Sequence, residues 1–110
     1  MPKIQHFENR AGGKGWIHME HLLCEDLQTD EVKLYAKVTI EPHASIGYHQ
    51  HNGDGESYTF IQGEGMYNDN GTLRKVKAGD YTWTGNGQSH GIENTSDEDL
   101  VMIALVLRQK

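Results

Sequence analysis

A dense run of turn-forming residues interrupts this 110-residue chain near its middle, at residues 52–55. Such a run favours a reversal of the chain direction. Before it, His49 and His51 are two residues apart, so on a β-strand both imidazoles project from the same face. After it, Glu56 opens a run that alternates like a strand over residues 56–61. The sequence therefore predicts a β-hairpin in which Glu56 lies opposite the histidine pair, at the separation of about 4.5–5.5 Å that is typical of cross-strand neighbours.

The rest of the chain also has the pattern of short strands separated by turns. Residues 34–40 alternate in polarity, and four of their side chains are predicted to point inward: Leu34, Ala36, Val38 and Ile40. Asn70-Gly71 predicts a two-residue hairpin turn of type I′. Residues 100–107 form a continuous apolar run that suits a buried strand, although its periodicity does not exclude a helix. Residues 16–23 are a further strand candidate, and the glycine-rich residues 11–15 predict a flexible loop. The pattern is that of an antiparallel all-β domain.

Composition narrows the function mainly by exclusion. The net charge of −6 opposes a nucleic-acid partner, because phosphate contacts need a basic face. No apolar run is long enough to span a bilayer, and the N-terminal residues lack the hydrophobic region of a signal peptide, so we expect a cytoplasmic protein. A length of 110 residues predicts one domain, residues 1–110. The single cysteine, Cys24, cannot form an intramolecular disulfide and is interpreted as a small core residue.

A fourth candidate ligand, His90, extends the pattern of the histidine pair and Glu56. The spacing of the first motif is His49-x-His51-x4-Glu56-x6-Gly63, and that of the second is Gly79-x5-Gly85-x-Gly87-x2-His90-x3-Asn94. An HxH pair alone is a weak sign of a metal site, since surface histidines are common. Three imidazole nitrogens and one carboxylate oxygen, however, suit a divalent transition metal and leave coordination positions open for a substrate.

Together the two motifs resemble the pair that defines the cupin family. Eight positions agree with that pair in register: His49, His51, Glu56, Gly63, Gly79, Gly87, His90 and Asn94. Two turn positions differ, because Gly85 stands where the family usually has proline and His43 stands where it usually has glycine. Neither is a ligand position, so the differences concern loop conformation and not the metal site. The resemblance places motif 1 at residues 43–63 and motif 2 at residues 79–94.

This resemblance implies a fold, a cofactor and a broad function. The fold would be a jelly-roll β-barrel with the ligands converging in its interior. The cofactor would be one divalent transition metal ion (Mn, Fe, Ni, Co, Cu or Zn) held by His49, His51, Glu56 and His90. Small cupins similar to this chain are linked to isomerase, lyase, decarboxylase and dioxygenase chemistry, and some are described as oxalate-decarboxylase-like. We therefore expect a metal-dependent enzyme for a small carboxylate, hydroxy acid or keto acid. The alternative is a non-catalytic module that binds or senses a metal or small ligand.

Aromatic side chains are candidates for the wall of such a site. Tyr58 and Phe60 share the strand parity of the acidic ligand and are expected to face the interior. There Tyr58 is the best-placed proton donor, and Phe60 is a pocket-lining residue. Tyr81 and Trp83 share one face of the strand that precedes the last histidine ligand. They are also predicted to line the pocket, with packing in the core as the alternative.

A homodimer is the expected assembly, because a barrel of this size leaves sheet edges that proteins usually cover. The N-terminal stretch is expected to add to a partner's sheet through four apolar side chains: Trp16, Ile17, Met19 and Leu22. His43 is interpreted as a surface residue, and His18 and His21 are interpreted as surface residues or subunit contacts. A small-molecule ligand is expected, with no nucleic-acid or membrane partner.

Overall fold

The structure is a computed structural model and describes residues 3–23 and 29–109. Within these ranges the chain forms ten strands: β1 Ile4–Glu8, β2 Trp16–His21, β3 Val32–Ile40, β4 Ser45–Gln50, β5 Asp54–Gln62, β6 Glu64–Asp69, β7 Thr72–Lys77, β8 Tyr81–Thr84, β9 Ser89–Glu93 and β10 Leu100–Arg108. One 3-10 turn, Arg10–Gly12, follows β1. No helix in the described ranges is long and apolar enough to cross a membrane. Cys24 lies outside the described residues, so its interpretation as a core residue stays a prediction.

The strands form two antiparallel sheets that enclose one core. The larger sheet has the order β1-β2-β3-β10-β5-β8, and the smaller sheet has the order β4-β9-β6-β7. This arrangement confirms the predicted all-β fold of the jelly-roll type. The apolar run of residues 100–107 is a strand, and the Asn70-Gly71 turn has positive φ at both residues (50° and 101°), as type I′ requires.

The inward-facing side chains at alternate positions of β3 and β10 form the centre of the core. Three inward positions of β3 pair directly with three inward positions of β10: Ile40 with Leu100, Val38 with Met102 and Ala36 with Ala104. All six side chains are buried, and Leu34 packs against them from the end of β3. Each of the four larger side chains contributes roughly 1.5–3 kcal/mol to the free energy of unfolding, and each alanine contributes less. The predicted inward face of residues 34–40 is therefore confirmed.

The predicted hairpin around residues 52–55 is wrong in its pairing. β4 pairs with β9 in the smaller sheet, whereas β5 pairs with β10 and β8 in the larger one. The turn residues carry the chain from one sheet to the other, with Gly53 at a positive φ of 78°. Turn-forming residues favour a reversal of the chain but do not specify which strand becomes the partner. Glu56 therefore approaches the histidines from the facing sheet.

A second correction concerns β8, whose aromatic side chains face outward. Tyr81 is 76% exposed and Trp83 is 45% exposed, so they do not pack in the core, and they are not among the residues that line the cavity inside the barrel. The register with β5 explains this orientation, because directly paired residues share one face of a sheet. The inward-facing Glu56 pairs with Thr84, which is itself buried. The inward positions of β8 are thus its threonines.

The N-terminal strand expected to cover a partner is part of this chain's own core. β2 lies between β1 and β3, and its Ile17 and Met19 are buried. The dimer contact predicted through these two side chains is therefore wrong, because they already pack inside the protomer. Trp16 and Leu22 remain partly exposed, and β1 is the edge strand of the larger sheet.

The glycine-rich loop predicted to be flexible is instead fastened to the start of β4. The backbone N–H of Ser45 donates to the carbonyl oxygen of Lys14 at 2.7 Å. Gly47 allows the close approach of the loop, since a Cβ at this position would overlap the carbonyl oxygen of Ala11. The turn Arg10–Gly12 is thereby held against β4.

Candidate metal centre

Four potential ligands converge inside the barrel, and we refer to them as the ligand cluster. Their ligand atoms all lie within 4.8 Å of one another: His49, His51, Glu56 and His90. His49 on β4 is the direct cross-strand partner of His90 on β9. His51 follows the end of β4, and Glu56 comes from β5 in the facing sheet. Because both sheets contribute, the cluster depends on the closed barrel and not on one local hairpin.

The separations of the ligand atoms fit a single metal ion. The Nε2 atoms of His51 and His90 are 3.0 Å apart. Oε1 of Glu56 lies 3.0 Å from Nε2 of His90 and 3.2 Å from Nε2 of His51. Two ligands that lie about 2.1 Å from an ion, at right angles to each other, are about 3.0 Å apart. The cluster is therefore able to hold one divalent ion, and its donor set suits each of the six transition metals named above.

Hydrogen bonds on the far side of two rings fix the direction of the free nitrogens. Nδ1 of His49 donates to the carbonyl oxygen of Gly47 at 2.7 Å. Nδ1 of His51 donates to the carboxylate of Asp54 at 2.6 Å. Both acceptors require a proton on Nδ1, so in the neutral form of each ring the lone pair lies on Nε2, where a metal ion can bind it.

His90 is oriented by two hydroxyl groups. Its Nδ1 atom lies 2.9 Å from the hydroxyl oxygen of Tyr67 and 3.0 Å from that of Thr84. The two hydroxyl oxygens are 2.6 Å apart, so one donates to the other. A hydroxyl of this pair can accept the Nδ1 proton, which leaves Nε2 of His90 directed at the ligand cluster.

Asp54 connects the ligand cluster to a cation at the surface. Nζ of Lys33 lies 2.8 Å from one carboxylate oxygen of Asp54, and His51 holds the other oxygen. Burial raises the pKa of Asp54, but the hydrogen bonds from Lys33 and His51 outweigh this effect and lower it overall. The carboxylate therefore stays ionised at neutral pH and increases the basicity of the imidazole that it contacts.

The ligand cluster favours positive charge at its centre. The pKa of His51 is raised, chiefly because its imidazole bonds to Glu56. Burial raises the pKa of Glu56, but hydrogen bonds from His51 and His90 outweigh burial and lower it overall. Burial lowers the pKa of His49. A carboxylate held in its ionised form next to imidazole nitrogens is the electrostatic environment that a cation requires.

A cavity of about 710 Å³ opens beside the ligand cluster. Tyr58 lines it and stacks on His90, with ring centroids 4.8 Å apart and planes inclined by 17°. The hydroxyl oxygen of Tyr58 lies 3.4 Å from Nε2 of His90, so the predicted proton donor borders the cluster. Phe60 is buried edge-on to the ring of Tyr58 and belongs to the core instead of the cavity wall.

Sequence reasoning missed the residues that orient the ligands. Asp54 stands within the run of turn-formers, and its spacing of three residues from His51 is the one local signal of a contact. Tyr67 faces inward because of the register of β6 with β9, which the sequence does not reveal. Arg10 and Lys33 line the cavity but lie outside both motifs.

Comparisons with known proteins agree with this fold. The family described as "Cupin domain" matches residues 36–106. A Thermotoga maritima protein named "Oxalate-binding protein" is 39% identical over 103 residues, which cover 94% of this chain and 85% of that protein. A crystal structure of a predicted oxalate decarboxylase from Thermotoga maritima superposes with a TM-score of 0.93 at 37% identity, covering 98% of this chain and 94% of the other. The Schizosaccharomyces pombe Cnp3 cupin domain, at 13% identity, shares the fold with a TM-score of 0.76, covering 96% of this chain and 69% of the other.

Proposed function

This chain belongs to the cupin family, and we propose that it acts as an enzyme on a small oxygen-rich acid at one divalent ion held by the ligand cluster. The observation that carries the proposal is the convergence of three imidazoles and one carboxylate beside an open cavity. Oxalate is the first candidate ligand, because the two Thermotoga maritima proteins are described as an oxalate-binding protein and a predicted oxalate decarboxylase. Small hydroxy acids and keto acids share the same pair of adjacent oxygens.

The chain's own residues would hold and orient both the ion and the acid. Glu56 and His90 are buried, whereas His49 is half-buried, so the acid would reach the cluster from the side of His49. When bound, a divalent ion would supply Lewis-acid chemistry by withdrawing charge from the carboxylate oxygens of the acid. The hydrogen bonds of Gly47 and Asp54 would keep their two imidazoles in place as the acid binds and leaves.

We assign Tyr58 the role of proton donor in this enzyme. Burial raises the pKa of its hydroxyl well above the ordinary range, so the group keeps its proton at neutral pH. Its position beside Nε2 of His90 puts the proton within reach of an acid bound at the cluster. Replacing Tyr58→Phe removes only the hydroxyl. We expect unchanged metal content and binding of the acid, with turnover reduced by about 10²-fold or more.

A second candidate function, binding without turnover, is supported by the state of Asp54. This carboxylate lines the cavity but is already bound by Lys33 and His51, so it is not free to act as a base. Incubation of the metal-loaded protein with oxalate and with small hydroxy and keto acids separates the two functions. Product formation that depends on the metal supports the enzyme. Saturable binding with no product supports the binding module.

The binding step itself is tested by thermal unfolding with and without metal. A ligand that binds only the folded state stabilises it by about 2.7 kcal/mol at a hundred times its dissociation constant. Oxalate should therefore raise the unfolding temperature of the metal-loaded protein and leave that of the metal-free protein unchanged. Equal shifts in both forms would mean that oxalate binds elsewhere, and the proposal would be abandoned.

We also propose that the protein is a homodimer in the cytoplasm. β1 is an edge strand of the larger sheet, and such edges are usually covered by another chain or element. Light scattering at micromolar concentration should give twice the mass of the 12.4 kDa chain. A stable monomer would contradict the dimer without affecting the metal site.

A further inference from the structure

The cavity is much larger than oxalate requires. At about 30 Å³ for each water-sized group, the six heavy atoms of oxalate need less than about 200 Å³. The cavity beside the ligand cluster measures about 710 Å³, which lies within the range of sites that hold larger metabolites. Space therefore remains for a ligand that continues beyond the pair of oxygens at the cluster.

One wall of this remaining space is aliphatic. Five apolar side chains from β2, β3, β4 and β10 line the cavity: Ile17, Met19, Leu34, Ile46 and Val106. Each methylene group that a ligand buries against such a wall strengthens binding about fourfold. Oxalate has no methylene group and gains nothing from this wall. A ligand with a short hydrocarbon chain would use it.

A residue with a guanidinium group, Arg10, is exposed and lines the cavity. Arg10 belongs to the turn that is fastened to β4, and its guanidinium carbon lies 4.1 Å from the centre of the Phe7 ring. Among residues 3–23 and 29–109, no carboxylate forms an ion pair with Arg10. The other cation of the wall, Lys33, is already paired with Asp54. Arg10 is thus the cation of the cavity that remains available to an anionic ligand group.

We propose that the ligand is a dicarboxylic 2-oxo acid, with its oxo and adjacent carboxylate oxygens at the ligand cluster, its methylene chain on the aliphatic wall and its distal carboxylate at Arg10. This inference rests on the proposed function for the oxygen pair and adds the chain and the distal charge. It assigns Arg10 a role in selecting the ligand and none in the chemistry.

Calorimetric titration of the metal-loaded protein tests the chain and the charge separately. Pyruvate and 2-oxohexanoate differ by three methylene groups, so 2-oxohexanoate should bind at least tenfold more tightly. The distal charge is tested with 2-oxo diacids from 2-oxoglutarate to 2-oxosuberate, each against the monoacid that carries a methyl group in place of the distal carboxylate. The best diacid should bind at least tenfold more tightly than its monoacid.

Two variants identify the residue that recognises the distal charge. Arg10→Gln should abolish the preference for the diacid and leave the affinities for pyruvate and the monoacid unchanged. Lys14→Gln is the matched control, because it removes a positive charge from the same loop but its residue does not line the cavity. This control should keep the preference. A preference that survives Arg10→Gln, or that falls equally in both variants, would overturn the role of Arg10.

The remaining outcomes separate this inference from the proposed function. If oxalate and pyruvate bind the metal-loaded protein but neither chain length nor the distal carboxylate improves affinity, the inference is wrong and the proposed function stands. If no oxalate or 2-oxo acid binds the metal-loaded protein, the proposed function fails, and the inference fails with it.

Discussion

Two groups of histidines in this structure are equally close-packed but differ in what their nitrogens contact. In the outer pair, His6 and His18, the Nδ1 atoms are 2.6 Å apart, and Nε2 of His18 lies 2.6 Å from Glu41. Both ring nitrogens of His18 therefore have hydrogen-bond partners on the protein. In the ligand cluster, the Nδ1 atoms contact other parts of the protein, while the Nε2 atoms of His51 and His90 face each other across 3.0 Å.

The difference indicates that a metal site is distinguished by ligand atoms that converge on one point beside a buried carboxylate, and not by the closeness of histidines alone. The outer pair lies partly in solvent and satisfies itself by hydrogen bonds. Among the described residues, the groups able to hold a metal ion comprise the ligand cluster alone. Substitutions in the cluster should therefore change metal affinity, and substitutions in the outer pair should not.

The largest effect is expected from His90→Ala. This side chain has no exposed surface, and its loss removes a ligand, the stacking on Tyr58 and the partner of two buried hydroxyl groups. We expect loss of metal binding in calorimetric titration, with a decrease of about 2–5 kcal/mol in the free energy of unfolding, the range for large buried side chains.

His18→Ala is the control from the outer pair. Its expected effect on the free energy of unfolding is below about 1 kcal/mol, as for most partly exposed positions, with full metal affinity. Equal loss of metal in the two variants would remove the distinction between the groups.

The next effect concerns pH, because metal binding displaces the proton that His51 holds through its bond to Glu56. Once the pH is below the raised pKa of His51, metal affinity should fall about tenfold per pH unit for each displaced proton. Isothermal titrations at pH 7.5 and 5.5 should therefore differ by about tenfold to a hundredfold.

Protonation of His51 weakens metal binding, but it stabilises the folded state of the metal-free protein. Since the pKa of His51 is raised on folding, its contribution to stability is fully present below about pH 6.5 and is lost as the pH rises through the folded value. The difference in unfolding temperature between metal-loaded and metal-free protein should therefore widen from pH 5.5 to 7.5. A constant difference would contradict this account of His51.

A smaller effect is expected from Asp54→Asn, which removes the negative charge that His51 contacts. Loss of a carboxylate behind a ligand imidazole typically weakens metal binding about tenfold to a hundredfold. Asp97→Asn is the matched control, because Asp97 contacts His43 at a similar distance of 2.7 Å but on the exposed surface. Competition titrations should show a change for Asp54→Asn only. Equal affinities of the two variants would mean that the contact does not support the site.

The smallest effect is expected from Tyr67→Phe. The variant removes one of the two hydroxyl groups at Nδ1 of His90, and Thr84 remains in contact with this nitrogen at 3.0 Å. We expect metal affinity to fall by less than about tenfold, since one net hydrogen bond is worth about 1 kcal/mol. Gln5→Ala removes the partner of His21 outside the cluster and should leave affinity unchanged. If Tyr67→Phe lost as much metal affinity as His90→Ala, Thr84 alone would not be able to orient the His90 ring.

The sequence predicted the identity of the cluster better than the route by which it assembles. The spacing of His49 and His51 correctly places both on one side, but Glu56 comes from the other sheet, because a turn signal does not name the partner strand. The direction of Tyr81 and Trp83 depends on the register of β8 with β5, which a four-residue strand does not encode. Contacts made through long-range packing were therefore the ones that sequence patterns could not supply.

The most direct test of the central claim is the metal content of the untagged protein, measured by elemental analysis after loading and extensive dialysis. The wild-type chain and the double variant His6→Ala/His18→Ala should each retain one divalent ion per chain. The variant His51→Ala should retain almost none, because it lacks one of the converging Nε2 atoms. Undiminished metal in His51→Ala, or loss of metal in the double variant, would contradict the assignment of the ion to the ligand cluster.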